Sequence, residues 1–263
     1  MPTPARAAGP LVIAHLSDLH LGAHLPRTAE AVVADVAAAR PSLTVVTGDL
    51  TMRARTGQFR QARALLDRLP RPLLVVPGNH DIPLVSMARF TDPYGRYRRW
   101  IHADLDPLVR IPGLTALGLQ STPWWRWKSG RVTARQIRSV GTLLGPTPRD
   151  SIRLLALHHP LSVRGFAGVI GAAGLTRALA DARVDLVLGG HTHVPASRAV
   201  TPAGAAHRVV EVIAGTAVSR RLRGVGRSWT AIRIEDHALV VQEREEQASG
   251  WRVRRTTSYP RMS

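Results

Sequence analysis

The chain contains no cysteine among its 263 residues. This absence excludes disulfides, thiolate metal sites and cysteine nucleophiles. Long apolar runs are also missing, so no segment is long enough to cross a bilayer. The first ten residues lack the apolar core of a signal peptide. We therefore expect a cytoplasmic protein with a flexible N-terminus at residues 1–10, a single domain at 11–245 and a C-terminal tail at 246–263.

Acidic residues are scarce, with 18 Asp and Glu against 36 Lys and Arg, which gives a net charge of +18. Nearly all of the positive charge is arginine, since Lys128 is the only lysine. Such a field attracts anionic substrates, nucleic acid included. The arginines are scattered, with small clusters at 96–99, 220–223 and 252–255, rather than gathered in one stripe. A small anionic partner is therefore expected, and dedicated nucleic-acid binding is the alternative.

Apolar runs and helical periodicity alternate along the first third of the chain. Runs at 11–17, 43–46 and 73–76 predict strands, and helical spacing at 28–40 and 59–69 predicts the helices between them. This β-α-β-α-β order is typical of a largely parallel sheet with covering helices. Further strands are predicted at 109–111, 114–119, 152–157 and 184–188, and helices at 133–144 and 175–183. The final third is predicted to be antiparallel β-structure.

Five predicted strands end in residues that can bind metal ions. The collected groups are Asp18, His20, Asp49, Asn79, His80, His158, His191 and His193. In open α/β sheets, sites form outside the carboxyl ends of the strands, because those ends meet at one edge. Each fragment alone also fits an ordinary turn or helix cap. Five matching strand ends together favour one shared site.

The donor set consists of carboxylate, amide and imidazole groups without sulfur, which suits Mn²⁺, Fe²⁺ or Fe³⁺, and Zn²⁺. With His80 set aside, the seven remaining groups would supply four ligands to each of two metal ions if one carboxylate were shared. Asp49 is the natural bridge, because the preceding Gly48 lets its short side chain sit close to both ions. The residues therefore predict a dinuclear metal centre.

Five motifs, in this order and spacing, resemble the calcineurin-like metallophosphoesterases over residues 11 to about 195. They are Asp18-x-His20, Gly48-Asp49, Gly78-Asn79-His80-Asp81, His158-His159-Pro160 and Gly189-Gly190-His191-Thr192-His193. The resemblance implies an α/β fold, a four-layer αββα sandwich of two mixed β-sheets flanked by helices. The segment Gly215-Thr216-Ala217, and the stretch from Trp127 to Gln136, are similar to the bacterial branch related to class III cyclic-nucleotide phosphodiesterases.

The resemblance also implies roles by position. One metal would be held by Asp18, His20, Asp49 and His193, and the other by Asp49, Asn79, His158 and His191. His80 would face the scissile phosphorus without binding metal, and His159 would not be a ligand. A hydroxide bridging the metals would attack phosphorus, with His80 stabilising charge or protonating the leaving oxygen. We expect a carboxylate, Asp81 or one near Asp49, to hold the His80 ring.

The resemblance implies a metal-dependent phosphoric ester hydrolase that cleaves phosphodiesters, with 3′,5′-cyclic nucleotides among the candidates. Arg220, Arg221 and Arg223 could neutralise a phosphate, although a solvated surface run is the favoured explanation for them. Trp124, Trp125 and Trp127 could stack a base, or serve packing or a dimer contact. A nuclease or repair subunit, a non-catalytic metal-binding scaffold and a lipid-headgroup hydrolase stay open as alternatives. The native metals and the choice between monomer and homodimer are also open.

Overall fold

The computed structural model describes residues 11–165, 168–201 and 207–261, so the predicted flexible segment 1–10 lies outside the described residues. The helices are Pro26–Ala38 (α1), Thr56–Leu66 (α2), Ala88–Thr91 (α3), Gly95–Trp100 (α4), Ala134–Leu144 (α5) and Ala172–Asp181 (α6). The strands are Leu11–Leu16 (β1), Leu43–Thr47 (β2), Leu73–Val76 (β3), Leu108–Ile111 (β4), Leu114–Leu119 (β5), Gly130–Arg131 (β6), Ile152–Leu157 (β7), Val169–Ile170 (β8), Leu186–Gly189 (β9), Ala196–Val200 (β10), Val209–Ile213 (β11), Ser228–Ile234 (β12), Ala238–Gln247 (β13) and Gly250–Pro260 (β14).

Two large sheets carry the fold, and each is mixed. The first sheet has the order β14-β13-β12-β1-β2-β3, with β1, β2 and β3 parallel and the other three strands antiparallel. The second has the order β10-β11-β9-β7-β5-β4, with a parallel centre and an antiparallel strand at each edge. The parallel strands of both sheets therefore deliver their carboxyl ends as groups.

Three apolar clusters separate four layers. Strand residues such as Val45 and Leu154 pack together between the two sheets. On the outer face of the first sheet, Val36 of α1 and Phe59 of α2 are fully buried. On the outer face of the second sheet, residues of α5 and α6 such as Leu175 pack against the strands. The structure thus confirms the predicted four-layer αββα sandwich of two mixed sheets flanked by helices.

Most of the helices and strands predicted from local sequence patterns lie near their observed bounds. The Thr133 side chain caps α5 by accepting a hydrogen bond from the Gln136 backbone N–H, as its sequence position predicted. Strand β11 is parallel to β9, whereas we expected antiparallel structure throughout the final third. Strand pairing is set by contacts between distant segments, so hydrophobic patterning alone does not distinguish the two orientations.

The segment 246–263, predicted as a tail, contributes β14, which pairs with β13 along most of its length. Only Trp251 of this strand is buried, and its arginines are exposed. An edge strand with a solvated, charged face lacks the apolar alternation that marks strands in a sequence, so it resembled a tail. Among the described residues, no helix combines the length and the apolar character needed to span a membrane.

Candidate metal centre

The carboxyl ends of β1, β2 and β3 meet those of β7 and β9 at one edge of the sandwich. The structure brings together there all seven predicted ligands: Asp18 and His20 after β1, Asp49 after β2, Asn79 after β3, His158 after β7, and His191 and His193 after β9. His80 lies beside them. Residues up to 173 positions apart in the chain are in contact, which follows from the parallel strands and crossovers of the two sheets.

Asp18, His20, Asp49 and His193 form one part of this cluster, here called the carboxylate half-site. All four are buried, and their donor atoms lie within 4.8 Å of one another. His20 Nε2 lies 3.2 Å from His193 Nε2 and 3.7 Å from Asp49 Oδ2. Asp18 Oδ1 lies 3.2 Å from His193 Nε2. Two carboxylates and two imidazoles therefore face one small volume.

Asn79, His158 and His191, with Asp49 shared, form the amide half-site. Asn79 Oδ1 lies 3.1 Å from both His158 Nε2 and His191 Nδ1, and those two ring nitrogens are 3.2 Å apart. Asp49 Oδ1 lies 3.5 Å from His158 Nε2. Since Asp49 Oδ2 faces the other half-site, this single carboxylate contacts both groups of donors.

The donor set fits two metal ions. In each half-site, atoms that offer lone pairs converge at 3.1 to 3.2 Å. Ligand atoms bonded at about 2.1 Å to one ion take up similar spacings around it. Where two imidazole nitrogens face each other at this distance, at most one proton fits between them. A cation would instead accept all of the converging lone pairs together. Oxygen and nitrogen donors of this kind suit first-row metal ions.

Protonation in the cluster favours metal binding. Burial lowers the pKa of His20 and of His191 to about 4, so both imidazoles are neutral near pH 7. Burial would raise the pKa of Asp18, but the His193 hydrogen bond and the neighbouring imidazoles hold it below its ordinary value. Burial alone would lower the pKa of His193. The hydrogen bond to Asp18 and the charge of Asp18 outweigh burial, so the pKa of His193 is raised. The His193 ring and the Asp18 carboxylate thus stabilise each other across the volume where a metal ion would be held.

The backbone around these ligands is strained. Five of the seven have positive φ: Asp18 at 53°, His20 at 48°, Asp49 at 51°, His191 at 69° and His193 at 63°. Residues other than glycine rarely adopt this left-handed region, and such strain concentrates at functional sites. The chain therefore turns sharply after β1, β2 and β9 to aim these side chains at the shared volume.

Two glycines allow the loops to approach one another. A Cβ at Gly190 would lie 1.8 Å from Ser17 Oγ, and one at Gly78 would lie 2.1 Å from the Asp49 backbone nitrogen. These close approaches let the His191 backbone N–H donate to Asp18 Oδ2 at 3.0 Å. Replacing either glycine would push apart the strand ends that carry the ligands.

His80 lies at the mouth of the cluster, held differently from our expectation. Its Nδ1 donates to the Met52 carbonyl at 2.9 Å, and its Nε2 accepts from Arg221 Nη1 at 3.2 Å. Asp81 does not hold the His80 ring: its buried carboxylate accepts the backbone N–H groups of Leu50, Thr51 and Gly78. It braces the loops after β2 and β3. A backbone carbonyl has no sequence signature, so the sequence could not point to Met52.

His159 lies within the imidazole cluster, although its own ring nitrogens are occupied. Its Nε2 donates to the Lys128 carbonyl at 3.0 Å, and its Nδ1 pairs with Ser121 Oγ at 2.9 Å. Burial lowers the pKa of His159 well below its ordinary value, so the ring is neutral. It supports the ring of His158, from which its centroid is 4.9 Å away, and has no lone pair free for a metal ion.

A cavity of about 220 Å³ opens beside the amide half-site and His80. Of the three predicted phosphate-binding arginines, Arg221 lines it, whereas Arg220 and Arg223 are exposed and do not. The sequence reasoning missed the other cations in its wall, which are Arg53, Arg89 and Lys128. Arg53 and Lys128 lie in irregular segments, and Arg89 lies in the four-residue helix α3, so no periodic pattern marks them in the sequence. The strong positive charge of the chain was the only signal that pointed to them.

The family model for calcineurin-like phosphoesterases matches residues 11–195 of the chain. The chain therefore belongs to the calcineurin-like phosphoesterase family, and it is a phosphoric ester hydrolase of that metal-dependent family. A protein from Synechococcus sp., named as a probable cyclic nucleotide phosphodiesterase, is 28% identical over 198 residues. That match covers 70% of this chain and 73% of the relative.

Solved structures show the same fold at low identity. Purple acid phosphatase PPD1 from yellow lupin superposes with a TM-score of 0.74 at 12% identity. This match covers 98% of this chain but 55% of the lupin chain. GAP50, described as the anchor in the inner membrane complex of Plasmodium, gives a TM-score of 0.66 at 11% identity, with coverage of 97% and 90%. The fold thus serves proteins with different roles, and the site must decide the activity.

Proposed function

We propose that this protein is a dinuclear metal-dependent phosphodiesterase acting on small anionic diesters, with 3′,5′-cyclic nucleotides as the first candidates. The observation that carries this proposal is the position of Asp49, whose two carboxylate oxygens face two separate groups of donors. One ion in the carboxylate half-site and one in the amide half-site would complete this arrangement. The ions Mn²⁺, Fe²⁺ or Fe³⁺, and Zn²⁺ suit these ligands.

Two such ions, when bound, would polarise the phosphoryl oxygens and lower the pKa of a coordinated water. The protein residues must supply the rest of the chemistry. His80 points its Nε2 toward the cavity, where a leaving oxygen would stand. Because Nδ1 donates to the Met52 carbonyl, only Nε2 can reach the substrate. Nε2 would have to exchange its contact with Arg221 for a proton before it could protonate the leaving oxygen. His80 would then serve as the acid for the leaving group.

Arg221 contacts both the carboxylate half-site and His80, and it lines the cavity. Its guanidinium contacts His80, and its carbonyl accepts a hydrogen bond from His193 Nδ1 at 3.0 Å. That bond fixes the ring of a proposed ligand with Nε2 turned toward the metal position. The guanidinium can also pair with a phosphate oxygen, since arginine presents donors that match phosphate geometry. Arg53, Arg89 and Lys128 add positive charge to the same cavity.

The cavity favours a small substrate over a polymer. Its volume of about 220 Å³ has the scale of a small organic ester. The Synechococcus relative, by its name, acts on cyclic nucleotides, which supports the same substrate class. The net charge of +18 favours a second candidate, a nuclease of the same family. A small diester needs no wide binding groove, so we favour the phosphodiesterase over the nuclease.

A panel of substrates tests the proposal. Metal-loaded protein is assayed on bis-nitrophenyl phosphate, cyclic AMP, a nucleotide pyrophosphate and single-stranded DNA. We expect turnover of the small diesters and bound metal near two ions per chain. Preferential cleavage of DNA would select the nuclease. Two bound metals without turnover of any ester would instead indicate a scaffold.

A further inference from the structure

Six large apolar side chains are exposed on two neighbouring segments, 83–91 and 121–131. This aromatic ridge consists of Val85 (84% exposed), Met87 (74%), Phe90 (64%), Trp124 (38%), Trp125 (42%) and Trp127 (53%). Arg89 joins the segments by donating to the Pro83 and Arg126 carbonyls at 2.9 and 2.8 Å. Phe90 also packs edge-on against Trp124, with ring centroids 5.8 Å apart. Contiguous apolar exposure of this kind marks an interaction surface.

The tryptophan rings of the ridge already have partners. Arg89 lies 4.8 Å from the ring centre of Trp127, and Arg126 and Arg131 lie 5.4 and 5.6 Å from that of Trp125. A base that stacked on these rings would compete with the guanidinium groups. The most exposed members, Val85 and Met87, offer no aromatic face at all. The ridge is therefore better suited to an apolar medium than to nucleic-acid bases.

Charge on the ridge has one sign. Segments 83–91 and 121–131 contain Arg89, Arg126, Lys128 and Arg131 and no Asp or Glu. Lys128 and Arg131 are exposed next to the tryptophans. Tryptophan favours the boundary between water and lipid, and neighbouring arginine and lysine are attracted to anionic headgroups. Protruding aliphatic and phenyl side chains can enter the acyl region below.

We propose that the aromatic ridge docks the protein onto the surface of an anionic phospholipid membrane. The apolar tips enter the lipid, while Arg126, Lys128 and Arg131 contact the headgroups. Trp127 and Lys128 also line the cavity beside His80, so docking would bring the mouth of that cavity to the membrane surface. The proposal concerns where the protein works and does not depend on which ester it cleaves.

Vesicle co-sedimentation tests the docking directly and needs no catalytic turnover. Phosphatidylcholine vesicles with and without about one third phosphatidylglycerol are compared at low and high salt. We expect binding to the anionic vesicles, weakened by salt. Brominated lipid should quench tryptophan fluorescence. Replacing Met87→Glu should lower the partition coefficient by about tenfold or more, because burying an acid in place of an apolar side chain is unfavourable.

Val253→Glu provides a matched control. Val253 is 43% exposed on β14, and the substitution changes the net charge equally without touching the ridge. Phe90→Ser adds a second ridge variant without a new charge. Absence of binding to anionic vesicles at low salt would overturn the proposal, as would equal binding by Met87→Glu and wild type. Ridge variants that abolish dimers in light scattering or single-stranded DNA binding, with no vesicle binding, would also overturn it.

Discussion

The two half-sites share Asp49 and differ in charge and burial. The carboxylate half-site carries two carboxylates and is buried throughout. The amide half-site has only the shared carboxylate. Its Asn79 and His191 are partly exposed, and Asn79 lines the cavity. Attraction between a cation and its ligands grows with ligand charge and with exclusion of water. If both half-sites bind ions, as proposed, we expect the carboxylate half-site to hold its ion more tightly than the amide half-site.

Loss of the shared ligand should give the largest effect. Asp49→Ala removes a donor from both half-sites, so we expect fewer than two bound metals and a fall in kcat of about a thousandfold or more. Metal content by mass spectrometry and steady-state kinetics measure the two changes. Asp67→Ala removes an exposed acid paired with Arg63 and serves as control. Two retained metals with full activity in Asp49→Ala would refute the shared-ligand arrangement.

Single-site variants should separate the two half-sites. Asn79→Ala is expected to release the ion of the amide half-site alone, whereas Asp18→Ala should weaken the more tightly held ion. In wild-type protein, a chelator should therefore remove the two ions in two steps, with a difference in affinity of about tenfold or more. Metal content is followed against chelator concentration. Simultaneous loss of both ions at one chelator concentration would contradict the difference between the half-sites.

His80→Gln should leave both half-sites intact and slow the reaction. We expect two bound metals, an unchanged KM and a fall in kcat of about a hundredfold, the usual contribution of a general acid. A substrate with a better leaving group should reduce this penalty, because it needs less protonation. His102→Gln, at an exposed position, is the control. Loss of metal from the His80→Gln variant would indicate that His80 is a metal ligand, which contradicts its proposed role as an acid.

Arg221→Gln should have a smaller effect, mainly on substrate binding. We expect KM to rise about tenfold, since a charge-assisted contact with phosphate is lost. Metal content should stay near wild type, because the contact with His193 uses the Arg221 backbone carbonyl. Arg223→Gln changes an exposed neighbour by the same charge and should be silent. Equal effects of the two variants would reduce the role of Arg221 to general positive charge.

The pH dependence of the free energy of unfolding should differ least between the two half-sites, because each contains a histidine with a similarly lowered pKa. Burial lowers the pKa of His20 and His191 to about 4, and that of the core residue His15 to about 3. Below pH 6.5 the unfolded chain binds these protons and the folded chain does not, so stability is lost as the pH falls. Burial and Asp49 raise the pKa of Asp81 to about 7, which opposes this loss, because the folded state then binds the proton first.

Three imidazoles outweigh one carboxyl group. For metal-free protein we expect these four groups to lower the free energy of unfolding by about 3 kcal/mol between pH 7 and pH 5. Urea unfolding in the presence of a chelator measures this change. Added metal should steepen it, since protons then compete with the ions for the imidazoles. A free energy that stayed constant or rose toward pH 5 would show that Asp81 dominates.

Much of the site could be predicted because metal-competent residues follow several strands in the same way. Asp18, Asp49 and His158 each follow an apolar run, and parallel strands bring such positions to one edge. The alternation of runs and helical periods predicted a largely parallel sheet with covering helices, and the four layers were implied by the family resemblance. Strand β14 and the short helices α3 and α4 were missed, because their sequences carry charged or irregular patterns and their conformation depends on neighbours.

The sequence by itself determined the set of metal-competent residues, their order and the run of parallel strands that ends in them, since apolar period and strand-end chemistry are local properties. Tertiary structure decided the rest. It joined His20 to His193 across 173 residues, seated His80 between a backbone carbonyl and Arg221, and freed Asp81 to brace two loops. It also placed the cavity cations beside the aromatic ridge. Such contacts join distant, aperiodic segments, so no local pattern encodes them.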